Sequence, residues 1–358
     1  MGKRIIIMAG GTGGHVFPAL AVAEYLIEND WQVSWLGTHR GLESRVIPEH
    51  NIAIDWLSVA GVRGKGVIAK IRAVFMLFKA CFQAGKILHT RKPDVVLGMG
   101  GFVAGPGGLM AKLLGIPLVI HEQNRVPGTT NRLLARIANQ VLEAFPDSFE
   151  QHTKAKFTGN PLRKSFLTKR NTQQRRDDGE IRLLIVGGSQ GAQILNEIVP
   201  EAIFEFKKLD SKHRLLRVKH QTGAAMYSQV DKRYKDLGIK SEASAFIADM
   251  VNVYDWADLV ICRAGAMTVS EVAAMGVPAI FIPLPNAIDD HQSANARYLT
   301  DAGAGLLLTQ NNLNPLSLAE YIDEALSKLA LMSRDAQKCA RLDATEIVAG
   351  YCMVEAGL

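Results

Sequence analysis

The chain predicts an α/β protein of two doubly wound, Rossmann-like parallel-sheet domains facing each other across a cleft. Three observations carry that class. A strand-like run, Arg4 to Met8, leads into the glycine loop Gly10-Gly11-Thr12-Gly13-Gly14 and an apolar-periodic helix from about Pro18. The same order returns at Arg182 to Val186, with Gly187-Gly188-Ser189-Gln190-Gly191 and a helix from Ala192. A second pair follows: Asp94 to Gly101, a helix, Gly115-Ile-Pro117 and a strand match Asp258 to Gly265, a helix, Gly276-Val-Pro278 and a strand. At 358 residues, the chain exceeds the ~250–300 at which single cores usually divide. Strands alternating with helices imply parallel sheets, with ligands at the carboxyl ends of the strands.

Arg163 to Glu180 is the linker candidate, being rich in charge and in Ser, Thr, Asn and Gln, with little apolar periodicity after Leu167. The first domain is therefore expected over 1–162 and the second over 163–339. A last helix is expected from about Asp335 to Gly357. Residues 1–162 hold 18 Lys and Arg against 11 Asp and Glu, and the remainder 23 against 24. A basic first half suits an anionic partner such as phosphate or acidic lipid, although a solubility bias explains it equally. Nucleic acid is disfavoured, because no aromatic stacking series or recognition module accompanies the basic residues. The four cysteines lack paired metal-ligand spacing and read as thiols in a reducing compartment. Lys3-Arg4 precedes too short an apolar run for a signal peptide, and Val95 to Ala111 is too rich in glycine for a membrane helix.

Within 67–88, Val67, Ile71, Val74, Phe75, Phe78 and Phe82 recur at helical spacing, and Lys70, Lys79 and Lys86 punctuate the run. Core packing is the expectation for this stripe. Ile68, Met76 and Leu77 fall outside it, which leaves a basic amphipathic surface touching anionic lipid as the alternative.

A glycine loop opening a helix offers backbone N–H groups and a positive dipole end, which suit phosphate. Gly10 to His15 lacks the Gly-Lys-Ser/Thr ending of a nucleotide-hydrolase loop. It also lacks the third glycine of the dinucleotide fingerprint, and no acid follows the next strand for a ribose. His15 stands at the end of the loop. A lone histidine there is commonly a polar helix start, but the glycines expose the backbone around it. A helix N-terminus also favours the neutral ring that a general base requires.

In the second half, Gly265, Ala266, Met267 and Thr268 can aim N–H groups at a diphosphate. Glu271 is expected in the first helical turn, either as a capping acid or as an acceptor for two ribose hydroxyls. Ser189 is a further phosphate candidate. Asp289 to Asn295 forms a polar cluster in which Gln292 can read a sugar, or which simply caps a helix. No Asp-x-Asp pair or His/Cys cluster has ligand spacing, so no metal and no cofactor is expected.

Together, these residues resemble the MurG family of bacterial glycosyltransferases, family 28, over essentially the whole chain. The resemblance is carried by Gly10-Gly-Thr-Gly-Gly-His15, Gly98-Met-Gly-Gly-Phe102, His121-Glu-Gln-Asn124 and Gly159-Asn-Pro-Leu-Arg163. Gly187-Gly-Ser-Gln-Gly-Ala192, Gly265-Ala-Met-Thr-Val-Ser-Glu271, and Gln292 with Asn295-Ala296 complete it. Ala264 and Met267 stand where Ser and Leu are often seen, and His291 where a second Gln occurs.

The resemblance implies the GT-B fold, with the terminal helix, about 340–358, packing back on the first domain. It implies an inverting, metal-independent transferase that moves N-acetylglucosamine from UDP-N-acetylglucosamine to lipid I, the undecaprenyl-diphosphate-linked muramyl-pentapeptide. The product is lipid II for peptidoglycan synthesis. It places the donor at Thr12, Gly13, Gly14, Asn124, Arg163, Ser189, Ile247, Ala266, Met267, Thr268, Val269, Ser270, Glu271 and Gln292. The acceptor diphosphate falls at Gly13, Gly14, Gly100 and Gly101, and His15 is the catalytic base. It also implies a peripheral position on the anionic cytoplasmic face of the bacterial inner membrane. The rival readings are another GT-B glycolipid transferase, a UDP-N-acetylglucosamine 2-epimerase and a non-catalytic nucleotide-binding scaffold.

Overall fold

Short, almost wholly apolar runs such as Ile5-Ile6-Ile7-Met8 and Leu183-Leu184-Ile185-Val186 have both faces buried. That is the pattern of parallel strands covered by helices on either side. In the computed structural model, which describes residues 2–59, 67–168, 179–188, 192–285 and 290–358, they build two sheets in two compact units. One unit is Met1–Arg163 with Arg341–Leu358, and the other is Lys164–Ala340.

The first unit runs β1 (Arg4–Met8), α1 (Gly13–Glu28), β2 (Gln32–Gly37), α2 (Glu43–Glu49), β3 (Ala53–Trp56) and α3 (Val67–Arg91). It continues with β4 (Val95–Gly98), α4 (Ala104–Leu113), β5 (Leu118–Glu122), α5 (Thr129–Leu134), β6 (Gln140–Glu143) and β7 (Lys156–Phe157). The second begins α6 (Lys164–Thr168), β8 (Glu180–Val186), α7 (Gln193–Leu209), β9 (Leu215–Gln221), α8 (Tyr227–Asp236) and β10 (Ser241–Ser244). It ends α9 (Met250–Trp256), β11 (Leu259–Cys262), α10 (Ala266–Met275), β12 (Ala279–Phe281), α11 (His291–Thr300), β13 (Gly305–Leu307) and α12 (Pro315–Cys339). The last helix, α13 (Ala344–Glu355), belongs to the first unit.

Every pairing is parallel, in the orders β3-β2-β1-β4-β5-β6-β7 and β10-β9-β8-β11-β12-β13. The strand order reverses between β1 and β4, and again between β8 and β11. Ligands of open α/β sheets bind at such switch points, outside the carboxyl ends of the strands. The loops after β1, β4, β8 and β11 are the glycine segments singled out by sequence.

Alternation along β1 divides the first core. Ile5 and Ile7 pack with Val16, Leu20 and, from α13, Val348 and Cys352. Ile6 and Met8 pack with Leu88, Val103 and Ala104 on the opposite face. In the second unit, Leu183 and Ile185 pack against Leu195 and Phe206 of α7 and Ile322 of α12.

Three expectations are corrected. First, α1 begins at Gly13 rather than near Pro18, so the glycine loop supplies the first helical turn. Second, the single helix expected over 335–357 is two: α12 ends at Cys339, and α13 begins at Ala344. Third, the phenylalanine stripe of α3 is not core: Phe75, Phe78 and Phe82 are 72%, 73% and 76% exposed. Ala80, Ala84 and Leu88 are buried instead. These side chains, four residues apart, share one helix face, and beside them a Cβ on Gly85 would meet Met110 of α4 at 2.9 Å. Small residues bring α3 close to α4 and leave its aromatic face outward. The side chains of Val67, Ile68, Lys70 and Ile71, residues 169–178 of the expected linker, and Asp289 lie outside the described residues.

Candidate active site

Thr12 is the N-cap of α1, and Gly13, Gly14 and His15 form its first turn. The N–H groups of Gly13 and Gly14, as the first two of a helix, have no intrahelical acceptor, whereas that of His15 turns back to the Thr12 carbonyl at 3.1 Å. Beneath the loop, Glu43 is fully buried and accepts the N–H groups of Gly11 and Thr38, both at 2.9 Å, and the Thr38 hydroxyl at 2.7 Å. Sequence reasoning missed Glu43; its contacts depend on the fold, and an acid at the start of a short helix gives no distinguishing signal.

The loop after β4 packs directly on the first. Gly100 and Gly101 have φ of +96° and +79°; a Cβ on Gly101 would come within 2.4 Å of the Gly10 carbonyl, and one on Gly100 within 3.0 Å of the His15 ring. Only glycine combines that backbone with that approach. Gly13, Gly14, Gly100, Gly101 and the His15 imidazole thus share one corner of the first unit, a concentration of backbone N–H groups beside a titratable ring.

The half-buried His15 ring is bonded from behind: its Nδ1 lies 2.7 Å from Gln123 Oε1. Gln123 Nε2 lies 3.0 Å from both Nδ1 and the carbonyl oxygen of His121, and His121 Nε2 lies 3.0 Å from the Gly159 carbonyl. Burial pushes His121 down to about 4, so it is neutral near pH 7. The backbone N–H and amide of Asn124 bond Glu122 Oε1, at 3.0 and 3.3 Å. The Arg163 guanidinium lies over the Phe17 ring, 5.4 Å from its centroid.

In the second unit, a cavity of about 630 Å³ opens at the β8/β11 switch point, lined in part by Gly187, Gly188, Arg263, Gly265, Thr268 and Gln292. Gly265 is the N-cap of α10, so Ala266, Met267 and Thr268 carry its unsatisfied N–H groups, while that of Val269 closes on the Gly265 carbonyl at 3.0 Å. The Ala266 and Val269 side chains are buried, which confines Ala266 to a backbone role. Gln292 Oε1 accepts the N–H groups of Leu284 and Ala264 at 2.9 and 3.3 Å, leaving its NH2 as the donor end for a sugar. Arg263, two residues before Gly265, bonds the Ile282 and Pro283 carbonyls at 3.0 and 2.9 Å and Gln310 at 3.0 Å. Burial lowers its guanidinium from the ordinary range, and it supplies positive charge to the cavity wall.

Four site residues need comment. Glu271 is the sixth residue of α10, beyond the first turn where it was expected, and stands 3.4 Å from the Tyr254 hydroxyl. Among the residues lining the cavity, neither Glu271, Ser270 nor Ile247 appears; Ile247 is half-buried in the loop between β10 and α9. Ser189 lies outside the described residues. Among the described residues, no three His, Cys, Asp or Glu side chains converge as metal ligands.

Twin parallel sheets with glycine loops at both switch points are the GT-B fold. The chain belongs to glycosyltransferase family 28: residues 5–143 match that family's N-terminal domain, and residues 182–348 its C-terminal domain. It is 55% identical over 360 residues to the UDP-N-acetylglucosamine--N-acetylmuramyl-(pentapeptide) pyrophosphoryl-undecaprenol N-acetylglucosamine transferase of Methylococcus capsulatus (strain ATCC 33009 / NCIMB 11132 / Bath), covering 100% of both chains. The enzyme of the same name from Shewanella sp. (strain ANA-3) is 47% identical, over 98% of this chain and 97% of that one. The crystal structure of Acinetobacter baumannii MurG superposes with a TM-score of 0.84 at 40% identity, covering 98% of this chain and 99% of that one.

Proposed function

We propose that this chain transfers N-acetylglucosamine from UDP-N-acetylglucosamine to the C4 hydroxyl of the muramyl sugar of lipid I, with inversion, forming lipid II for peptidoglycan synthesis. The observation that carries this reading is the end-to-end identity of 55% with a transferase named for that donor and acceptor. The two switch-point sites support it, since each offers uncommitted backbone N–H groups for one of the diphosphates the reaction needs.

The donor diphosphate is held by the N–H groups of Ala266, Met267 and Thr268, and Ser189 is the further phosphate ligand. Glu271 takes the ribose hydroxyls, the main chain at Ile247 takes uracil, and Gln292 reads the sugar. Thr12, Asn124 and Arg163 complete the donor contacts from the first unit. The acceptor diphosphate lies on Gly13, Gly14, Gly100 and Gly101. His15 accepts the proton of the attacking hydroxyl as the new O–C1 bond forms and UDP departs with the electron pair. Helix N-termini aimed at that diphosphate stabilise the developing charge without reorganising.

The protein works as a peripheral enzyme on the anionic cytoplasmic face of the inner membrane. Among the described residues, no helix is long and apolar enough to cross a bilayer. Val74, Met76 and Leu77 of α3 line an apolar groove of about 700 Å³ with Phe102, Leu109 and Leu133 of the neighbouring segments, and Phe75, Phe78 and Phe82 of α3 and Leu113 of α4 are exposed as well. Lys79, Lys86, Lys112 and Arg132 are exposed on the same helices, the combination that binds anionic lipid.

The test is UDP release with and without a short-chain lipid I analogue, in excess EDTA. Acceptor-dependent release with a disaccharide product is the expected result. Release that needs Mg²⁺ would overturn metal independence. Release without acceptor, yielding an epimerised sugar, would overturn the transferase. His15→Ala should lower turnover at saturating acceptor by ~10²–10⁴-fold, and near-normal turnover would remove His15 as the base.

A further inference from the structure

The bonds behind His15 have a direction. We propose that Gln123, oriented by His121, is a positioning residue that fixes the His15 imidazole as the Nδ1–H tautomer and leaves Nε2 as the unprotonated atom facing the acceptor. The inference rests on His15 being the base and adds what makes one of its nitrogens available.

Two carbonyl oxygens set the direction, because a carbonyl can only accept. His121 Nε2 stands 3.0 Å from the Gly159 carbonyl and must carry the proton there. The neutral ring of His121 then presents Nδ1 as an acceptor, and the Gln123 amide donates to it at 3.0 Å. The same Gln123 nitrogen lies 3.0 Å from the His121 carbonyl oxygen, a second acceptor, so turning the amide over would set oxygen against oxygen. Gln123 Oε1 is thereby aimed at His15 Nδ1, 2.7 Å away, and requires a proton on it.

Gln123 and His121 are both fully buried, so water offers no competing partner. Asn160 Nδ2 bonds the Gln123 carbonyl at 3.1 Å, and Asn131 Nδ2 bonds that of His121 at 3.1 Å, which holds the backbone of the relay in place. The His15 ring meanwhile lies against Gly100. During transfer, the acceptor proton moves to Nε2, the O–C1 bond forms, and the C1–O bond to UDP breaks with its electrons. The resulting imidazolium keeps its Nδ1–H bond to the Gln123 oxygen, whose dipole favours the new charge. The wrong tautomer would present an N–H to the hydroxyl and could not accept its proton.

The experiment uses the full-length protein labelled with ¹⁵N-histidine. Long-range ¹H–¹⁵N correlation near neutral pH reads the tautomer, and the His15 signals are assigned by their loss in His15→Gln. Nδ1 protonated and Nε2 bare is the expected result; Nε2 protonated, or an even mixture, overturns the proposal. Gln123→Met keeps the volume and removes the acceptor. It should mix the His15 tautomers and lower kcat by ~10²-fold or more while the KM for UDP-N-acetylglucosamine holds, as loss of an orienting partner does in a catalytic triad. Mixed tautomers with an unchanged kcat would overturn the role. If Gln123→Met does not fold, the wild-type spectrum decides alone. Failure of the base itself is distinguishable, since His15→Gln would then keep turnover whatever the spectrum shows.

Discussion

Replacing Phe75, Phe78 and Phe82 by serine separates a membrane face from a core face on one helix. Each ring is 72–76% exposed, so little packing is lost. Exposed substitutions cost about 0.5 kcal/mol or less each, and serine and phenylalanine have similar helix propensities. A phenylalanine covers roughly 150–250 Å² when buried. At ~25 cal/mol per Å², transfer of the exposed part of one ring into an apolar phase is worth about 3 kcal/mol. Seating at half depth in the headgroup boundary leaves about 1.5 kcal/mol per ring, so three rings amount to a ~10³-fold loss of vesicle binding.

Cosedimentation with anionic vesicles at low salt measures the binding, and urea unfolding measures the fold. Leu88→Ser is the contrast: that side chain is 1% exposed, on the face toward the core, and its replacement should destabilise by about 2–5 kcal/mol. Wild-type vesicle binding by the triple variant, or its unfolding in buffer, would refute the assignment of the aromatic face to lipid.

Other consequences can be checked in the same protein. Gly101→Ala forces a side chain into φ +79° and against the Gly10 carbonyl, so the KM for acceptor should rise at least ~10-fold with the donor KM unchanged, the left-handed strain alone being about 1–2 kcal/mol; an unchanged acceptor KM would remove this loop from the acceptor site. Glu271→Ala deletes a charged hydrogen-bonding partner, a change of about 1.5–3 kcal/mol, and calorimetry should show UDP binding weakened by at least ~10-fold, whereas equal affinity would sink the ribose role. Burial holds His121 at about 4 and His220 at about 3, so both remain neutral in the fold where an unfolded histidine protonates. Their contribution is therefore fully present above an unfolded pKa of ~6.5 and is lost as pH falls toward the folded values, at up to about 1.4 kcal/mol per unit per ring. Urea unfolding at about pH 7.5 and about pH 5 should show the decline, and a flat profile would contradict it.

The sheets and their glycine loops were legible because buried parallel strands are apolar throughout and a glycine run after such a strand has few other uses. His15 was singled out for the same reason, as the titratable residue next in sequence to the first loop. Phase was harder to read. Periodicity along α3 shows that the phenylalanines share a face, but not which face meets α4; Ala80, Ala84 and Gly85 decide that by allowing close approach. The start of α1 was misplaced because glycines score poorly as helix formers, yet Gly13 and Gly14 form its first turn. Gln123 and Glu43 were invisible in these roles, since His15 and Gly11, which they hold, stand 108 and 32 residues away.

Those hidden residues explain how a site made largely of glycine keeps its shape. Glycine loops lose more conformational freedom on ordering than any other sequence, so something beneath them must fix them before substrate arrives. The first unit uses buried carboxylates. Glu43 takes the N–H groups of Gly11 and Thr38, Glu122 those of Asn124 and Gly128, and Glu143 those of Asp147, Ser148 and Phe149. An ionised carboxylate has about four acceptor positions and no donor, so each can gather several N–H groups of a turn at once. The result is a division of the backbone donors. The Gly11 N–H is claimed from inside, while those of Gly13 and Gly14, two and three residues further along, have no intrahelical acceptor and are the ones proposed to meet an incoming anion. A loop clamped from beneath can bind a diphosphate through backbone alone, without lysine or metal, because it has no reorganisation left to undergo when the charge arrives.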